Sequence, residues 1–429
     1  MKANRRTRWI VSAALFSLVL TFVSLLSPST ALPQAGTPGP VLLGPSDDGS
    51  QVELRADQFL ALRLEANPAA GYGWYVQDMD GAVLRQVGEP EMDGTPVLLG
   101  APTIVTLRFS PQAAGQSPLV LAYRRPGDEA EPLKTFSLEV RAAGAYVGTE
   151  TLEAAAAPVD APAADLGDEA TADLPAALNW CTAVGCTPVR DQGACGSCWA
   201  FGTAGVLEQN IRIVDGVSKD LSEQYLLSCN TDGWSCDGGW WAHDYNWWKV
   251  PPGEPGPGAV TEAAFPYLAS RVACNPPHTH NEQIADWKYV GTANSVPTVA
   301  ALKQAIYDRG PIAVAVCAGS RFSSYSGGVL TTGDVCSKPV NHGVVLVGWD
   351  DSLGTNGAWI LRNSWGPGWG EGGYMKIAYG ISNVGYGATY VVRGTMPHSA
   401  SAPSNLRAVS VSTSRIDLRW TDTSSNETG

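Results

Sequence analysis

Apolar and polar residues alternate in four short runs, 52–64, 104–109, 119–123 and 136–140. A period of two marks strands with one buried face, and the proline and glycine between the runs mark turns. This pattern predicts an all-β, immunoglobulin-like sandwich over residues 41–142. The period lengthens over 197–214, where Trp199, Phe201, Val206, Ile211 and Val214 recur at roughly helical spacing. A helix starting beside Cys198 is expected there. After His342 comes an apolar run, Gly343-Val344-Val345-Leu346-Val347, which reads as a strand.

The ends of the chain follow other patterns. Residues 9–26 are apolar, behind Lys2, Arg5, Arg6 and Arg8, and Ser29-Thr30-Ala31 supplies small residues after them. That order predicts a secretory signal peptide over 1–31. No other segment has the length and apolarity of a membrane span, so no membrane association is expected once the signal is removed. Residues 143–172 are rich in Ala, Pro and acidic residues and read as a linker, whose ~30 residues reach ~30 Å.

Charge and cysteine content narrow the function. The net charge of −13 argues against a nucleic-acid partner and otherwise favours solubility. All nine cysteines fall between 181 and 336. A secreted chain forms disulfides, and an odd count leaves one free thiol. Cys198 is the candidate. Spacing alone leaves about 105 pairings for the other eight.

The candidate chemistry centres on Asp191-Gln192-Gly193-Ala194-Cys195-Gly196-Ser197-Cys198-Trp199-Ala200-Phe201. A thiolate attacks a carbonyl carbon where a thiol hardly does, and a helix N-terminus favours the thiolate. The Cys198 backbone N–H and the Gln192 side-chain amide are candidate oxyanion donors. A zinc site on Cys195 and Cys198 would need a second ligand pair, and none is evident. The base is expected far downstream: His342 stands 144 residues after Cys198, and Asn363, in Asn363-Ser364-Trp365-Gly366, stands 165 after it.

Together these residues resemble the papain-like cysteine peptidases, from 174 to about 392. The resemblance implies an α+β two-lobed peptidase over 173–396, with a helical lobe and a β-barrel-like lobe. It implies Cys198 as nucleophile, His342 as base, Asn363 as the group orienting His342, and Gln192 as oxyanion donor. The family's usual window for the downstream residues is roughly 130–150 positions, so Asn363 implies a loop insertion. Trp365 resembles the residue that shields the His–Asn hydrogen bond. The implied disulfides are Cys195–Cys236 and Cys229–Cys274, leaving Cys181–Cys186 and Cys317–Cys336.

For substrate, Gly238 and Gly239 match the stretch that binds peptide backbone in that family. Trp240 and Trp241 are placed to wall the pocket for the second residue before the scissile bond. Gly343 leaves that pocket room, and no acidic residue stands near 385–387. Protein or peptide substrates with an apolar or aromatic residue at that position are expected. No metal or cofactor is expected. His278-Thr279-His280 lies in a Pro-flanked stretch and reads as an exposed polar loop.

The sandwich carries a second resemblance. Asn67-Pro68-Ala69-Ala70-Gly71-Tyr72-Gly73-Trp74 resembles the first inhibitory loop of the chagasin family, which inhibits papain-like peptidases. Ala122-Tyr123-Arg124-Arg125-Pro126 resembles its last loop, and Leu98-Leu99-Gly100-Ala101-Pro102-Thr103 occupies the place of the middle one. Gly127 stands where the family usually has tryptophan, and the middle loop lacks the usual glycine pair. The implied partner is intramolecular: Asn67, Pro68, Gly71, Tyr72, Trp74, Arg125 and Pro126 would block the cleft of the same chain. No helical prosegment is evident before 174. Residues 403–429 resemble the first strands of a fibronectin type III domain, cut short at Gly429. The expected protein is a secreted, cell-surface or periplasmic endopeptidase held latent in cis. The alternative is an inactive papain-fold adhesion or binding protein.

Overall fold

A computed structural model describes residues 39–93, 98–128, 130–148, 174–336, 339–393, 404–412 and 415–421. The signal peptide and most of the linker expected from the sequence lie outside the described residues. So does His398.

The first part is a sandwich of two four-stranded sheets. One sheet orders Gly39–Leu43, Gln58–Ala66, Thr103–Pro111 and Leu84–Met92; the other orders Ser50–Leu54, Lys134–Ala142, Gly115–Arg124 and Gly73–Met79. Alternation decides which face is buried. Along Lys134–Ala142, Phe136, Leu138, Val140 and Ala142 are buried while Glu139 and Arg141 are exposed. Leu60, Leu62, Leu64, Phe109, Leu121, Phe136 and Trp74 fill the space between the sheets. The run 52–64, read as one stretch in the sequence, is two strands in different sheets. A turn at 55–58 divides them, closed by the Gln58 N–H donating to Arg55 O at 3.0 Å. Strands Gly73–Met79 and Leu84–Met92 were not apparent from the pattern, because Gln77, Asp78, Gly88 and Glu89 break the alternation.

The second part is α+β. Helices Cys198–Asp215 and Glu223–Cys229 pack together in one lobe. The other lobe is an eight-stranded sheet in which His342–Asp350 is central, between Ile312–Val316 and Ala358–Arg362. His342–Asp350 is buried through Trp349, which explains its unbroken apolar run. Four disulfides join Cys181–Cys186, Cys195–Cys236, Cys229–Cys274 and Cys317–Cys336. The bridges spanning 41 and 45 residues contribute about 4 kcal/mol each in the chain-entropy picture. Strands Ser404–Ser412 and Arg415–Thr421 form a separate antiparallel pair. Among the described residues no helix is long and apolar enough to cross a membrane.

Candidate active site

Cys198 opens the long helix and is the free cysteine of the chain. His342 opens the central strand of the opposite lobe. Its Nε2 lies 2.8 Å from Asn363 Oδ1, which leaves Nδ1 as the ring nitrogen without a partner among the described residues. Trp365 stacks on the imidazole at 4.8 Å, and Phe322 meets its edge at 5.9 Å. The Gln192 side chain is fully buried; its Nε2 donates to Cys195 O at 3.0 Å and its Oε1 accepts from Ser364 Oγ at 2.7 Å. A Cβ on Gly343, the residue after His342, would lie 3.3 Å from Cys198 O, so the start of the helix and the start of the strand meet across the two lobes.

The dyad is sealed. Burial pushes the Cys198 thiol up to about 12, against smaller opposing effects of backbone N–H groups led by that of Gly343. Burial also pushes His342 down to about 4; the Asn363 hydrogen bond opposes this and the Arg125 charge adds to it. Both groups are therefore neutral in this closed form.

The seal comes from the sandwich. Ala69 is buried in one apolar cluster with Cys198, and its carbonyl accepts from Trp365 Nε1 at 3.0 Å. Gly71 (φ +80°) runs so close to Trp365 that a Cβ there would lie 3.1 Å from the ring. Asn67 stiffens this loop: its Oδ1 accepts from the Ala70 N–H at 3.2 Å and its Nδ2 donates to Gly100 O at 3.0 Å. Pro68 begins the short 3-10 turn Pro68–Ala70.

The middle loop, which departs most from the chagasin pattern, makes the backbone ladder. Leu99 N–H donates to Gly239 O at 2.9 Å, and Gly239 N–H donates to Leu99 O at 3.0 Å. Gly100 N–H donates to Asn341 O at 2.9 Å. Gly100 (φ +88°) passes the 195–198 turn so closely that a Cβ would sit 2.0 Å from Gly196 O. Backbone contacts of this kind depend little on side-chain identity, so no residue signature announces them.

The last loop acts through Arg125. Its guanidinium meets both Asp191 oxygens at 2.9 Å, donates to Gly193 O at 3.1 Å and Trp365 O at 3.3 Å, and through Nε to Ala70 O at 2.9 Å. It also stacks over the Tyr72 ring at 5.0 Å. Pro126 lies beside it, half-buried, ahead of an exposed Gly127.

Three expectations need correction. Trp74 does not face the cleft: it is buried in the sandwich core, donates to Glu65 O at 2.9 Å and packs on Tyr123 at 5.1 Å. Tyr72 packs against the same Tyr123 and supports Arg125. Trp74 is large and apolar, and the sandwich core outcompetes the cleft for it. Gly343 does not leave an open pocket, because Trp241 fills the space: a Cβ on Gly343 would lie 3.1 Å from that ring. Trp241 is buried and donates to Gly387 O at 2.8 Å, while Trp240 donates to Tyr289 OH at 2.9 Å. Finally, His278 and His280 are not an exposed loop; both approach the buried carboxylate of Glu254.

Sequence reasoning also missed Tyr267. Its OH donates to Gln192 O at 2.8 Å and lies 2.5 Å from Ser197 Oγ, bracing both ends of the turn before Cys198. His243 is a buried core residue whose Nε2 lies 3.1 Å from Thr389 Oγ1, while its Nδ1 has no partner among the described residues.

Comparison with known proteins adds to this geometry. The profile for papain family cysteine protease matches residues 174–393, and that for chagasin family peptidase inhibitor I42 matches residues 53–140. The chain is 34% identical over 235 residues to cysteine endopeptidase Rep1 of Oryza sativa subsp. japonica, covering 52% of this chain and 60% of that protein. It is 37% identical over 239 residues to probable cysteine protease RD21B of Arabidopsis thaliana, covering 55% and 48%. The chain thus spans about half to three fifths of these two relatives. Digestive procathepsin L2 proteinase from Tenebrio molitor larval midgut is a similar solved structure, at 32% identity and TM-score 0.46, covering 53% of this chain and 71% of that one.

Proposed function

Because the chain belongs to the papain family of cysteine proteases, we propose that it is a secreted cysteine endopeptidase held latent by its own sandwich. The observation that carries this reading is the position of Cys198. It is a free thiol at a helix start, beside Gly343, the neighbour of His342, and it shares a buried cluster with Ala69 of the sandwich loop.

In the open enzyme Cys198 and His342 exchange a proton and form a thiolate–imidazolium pair. Asn363 holds the ring through Nε2, so Nδ1 serves the thiol. The thiolate adds to the scissile carbonyl carbon, and the Cys198 N–H and Gln192 amide stabilise the oxyanion. Each such donor is worth about 3–4 kcal/mol. Imidazolium gives its proton to the leaving amine, and the acyl-enzyme remains. His342 then takes a proton from water as the water oxygen adds to the acyl carbon, the C–S bond breaks, and the acid leaves with the thiolate–imidazolium pair restored. Substrate backbone would pair with Gly239 as Leu99 does now. Four disulfides fit an oxidising, extracellular compartment.

Latency follows from the linker. A tether of ~30 residues keeps the sandwich near the cleft at an effective concentration on the order of mM. Activation then takes a cut in the linker and departure of the sandwich.

The test is alkylation and peptide hydrolysis by the full chain before and after linker cleavage and removal of the sandwich. One thiol becomes reactive and hydrolysis rises together with it, and Cys198→Ala abolishes both. Equal activity before and after removal, at matched thiol concentration, overturns latency. Hydrolysis surviving in Cys198→Ala overturns the catalytic assignment.

A further inference from the structure

The middle loop of the sandwich lies along the cleft as a peptide substrate would. Leu99 exchanges both backbone hydrogen bonds with Gly239 in an antiparallel bridge. The next residue, Gly100, donates its N–H to the carbonyl of Asn341, the residue before His342, at 2.9 Å. Gly100 also packs on Gly196, in the turn that leads into Cys198. A peptide running from the Gly239 bridge past Asn341 O therefore brings the carbonyl of its next residue to the start of the Cys198 helix. In this loop that carbonyl belongs to Gly100, and the bond it offers for cleavage is Gly100–Ala101.

The carbonyl is held by another donor. Gly100 O accepts from Asn67 Nδ2 at 3.0 Å, and Asn67 is buried. The direction of that amide is set by its neighbours. Asn67 Oδ1 accepts the Ala70 N–H at 3.2 Å, which leaves Nδ2 as the end that faces Gly100. The Asn67 backbone N–H donates to Tyr123 OH at 2.8 Å and so anchors the residue on the sandwich core. The Gln192 amide is engaged too, because its Nε2 donates to Cys195 O at 3.0 Å.

The backbone at the same point turns. Gly100 has φ +88°, a conformation that glycine adopts without a Cβ penalty. The turn lays Ala101 back over Gly238, where a Cβ would sit 3.0 Å from Ala101 N. Both halves of the Gly100–Ala101 bond are thus held: the carbonyl by Asn67, the nitrogen against the Gly238 wall.

We propose that Gly100–Ala101 is a scissile bond in waiting, and that the Asn67 amide, by holding the Gly100 carbonyl, keeps Cys198 of the same chain from cutting it. The inference rests on the endopeptidase reading above and adds what spares the inhibitory loop. Without Nδ2, Gly100 O is left unsatisfied in a buried contact, which is costly. The donors placed to relieve it are the Cys198 N–H and the Gln192 amide. The loop then leaves its turn and becomes a substrate. The Cys198 thiolate adds to the Gly100 carbonyl carbon, the C–N bond to Ala101 breaks, and His342 gives its proton to the Ala101 nitrogen. Water, losing a proton to His342, adds to the acyl carbon; the C–S bond breaks and leaves a carboxylate on Gly100.

The experiment uses the full chain carrying Asn67→Ser. Serine still caps the Pro68–Ala70 turn but is too short to reach Gly100 O. Parent and variant are incubated at neutral pH at two protein concentrations and followed by intact-mass spectrometry. The parent should stay whole at 100–101. The variant should give one fragment ending at Gly100 and one beginning at Ala101, about 10-fold or more faster than the parent. That rate should not depend on concentration, and adding Cys198→Ala should abolish it. Asn67→Asp keeps the size and the cap but loses the N–H donor; it should be cut in the same way, and it decides if the serine variant fails to fold. Folded variants that stay whole at 100–101, or are cut only at other bonds, overturn the proposal. So does a parent cut there as fast as they are. Peptide hydrolysis by the parent freed of its sandwich is measured alongside. With that hydrolysis present, the endopeptidase reading stands whatever Asn67 does. With it absent, that reading falls and the guarded bond falls with it.

Discussion

The sandwich and the peptidase lobes bury different things. The sandwich has no cysteine, and its interior is almost wholly aliphatic and aromatic. The peptidase lobes bury Gln192, Glu208, Glu223, His243, His342, Arg362 and Asn363 and are crossed by four disulfides. Burial raises Glu208 and raises Glu223 well above the ordinary carboxyl range. Groups held this way cost stability unless paired, and cross-links offset part of that cost. The sandwich needs no such interior, because it performs no chemistry. It presents loop backbone at Ala69, Leu99 and Gly100, together with the charged side chains Arg125 and Glu89, the latter accepting from Ser320 Oγ at 2.7 Å. In the function proposed above, the peptidase would work through interior side chains and the sandwich through backbone shape.

This contrast can be broken by substitutions on the sandwich alone. The largest effect is expected at Trp74, whose ring is buried in the sandwich core. Trp74→Ala removes a core ring and its bond to Glu65 O, and should destabilise the sandwich by about 3–5 kcal/mol in a denaturant melt. Latency is then lost through unfolding. If latency is lost with the melt unchanged, Trp74 acts at the cleft and the division above fails.

Gly100→Ala should act in the opposite way. Its Cβ would meet Gly196 O at 2.0 Å on backbone already at positive φ. Overpacking a rigid contact costs roughly 1–3 kcal/mol or more, so basal hydrolysis should rise roughly 100-fold, with the sandwich destabilised only by the positive-φ cost of about 1–2 kcal/mol, less than in Trp74→Ala. An alanine chain as latent as the parent would refute a backbone seal.

Arg125→Ala removes charge-assisted hydrogen bonds to Asp191, Gly193 O and Trp365 O. Asp191 is half-exposed, so solvent screens part of the pair. A loss of about 2 kcal/mol, or roughly a 30-fold rise in the open fraction, is expected. Hydrolysis assays at low and high salt check it: the difference between parent and variant should shrink as salt rises.

The smallest effect is expected from pH. In the closed chain Cys198 is neutral below about 12 and His342 is neutral above about 4. Opening to a thiolate–imidazolium pair moves a proton between the two and takes none from solvent, so latency should be flat near neutrality. In Cys198→Ala only the imidazole titrates. Its closed-state pKa of about 4 lies below the ordinary value of about 6.5, so the open form takes up the proton first. Closure is then complete above about pH 6.5 and is lost as pH falls toward about 4. Fluorescence of Trp365, whose indole is bonded to Ala69 O when closed, follows this. A parent chain that opens steeply between those values would show that no ion pair forms in the open cleft.

The sequence by itself carried whatever is written as local pattern or as residue chemistry at fixed spacing. Alternation marked the sandwich, a longer period marked the helix behind Cys198, and an unbroken apolar run marked the buried strand after His342. Cys198, His342, Asn363 and Gln192 could be singled out because they stand in short local motifs, and the catalytic roles proposed for them start from that chemistry. What only the tertiary structure decided depends on competition for space and on backbone. Trp74 and Trp241 are large apolar residues near functional loops, and nothing local tells which surface will bury them. The packed core took the first, and the second filled the gap beside Gly343. The Leu99–Gly239 ladder uses peptide groups that every residue has, so no side chain signals it. Glu254 lies more than 20 residues before His278 and His280, and only folding shows that one buried carboxylate serves both.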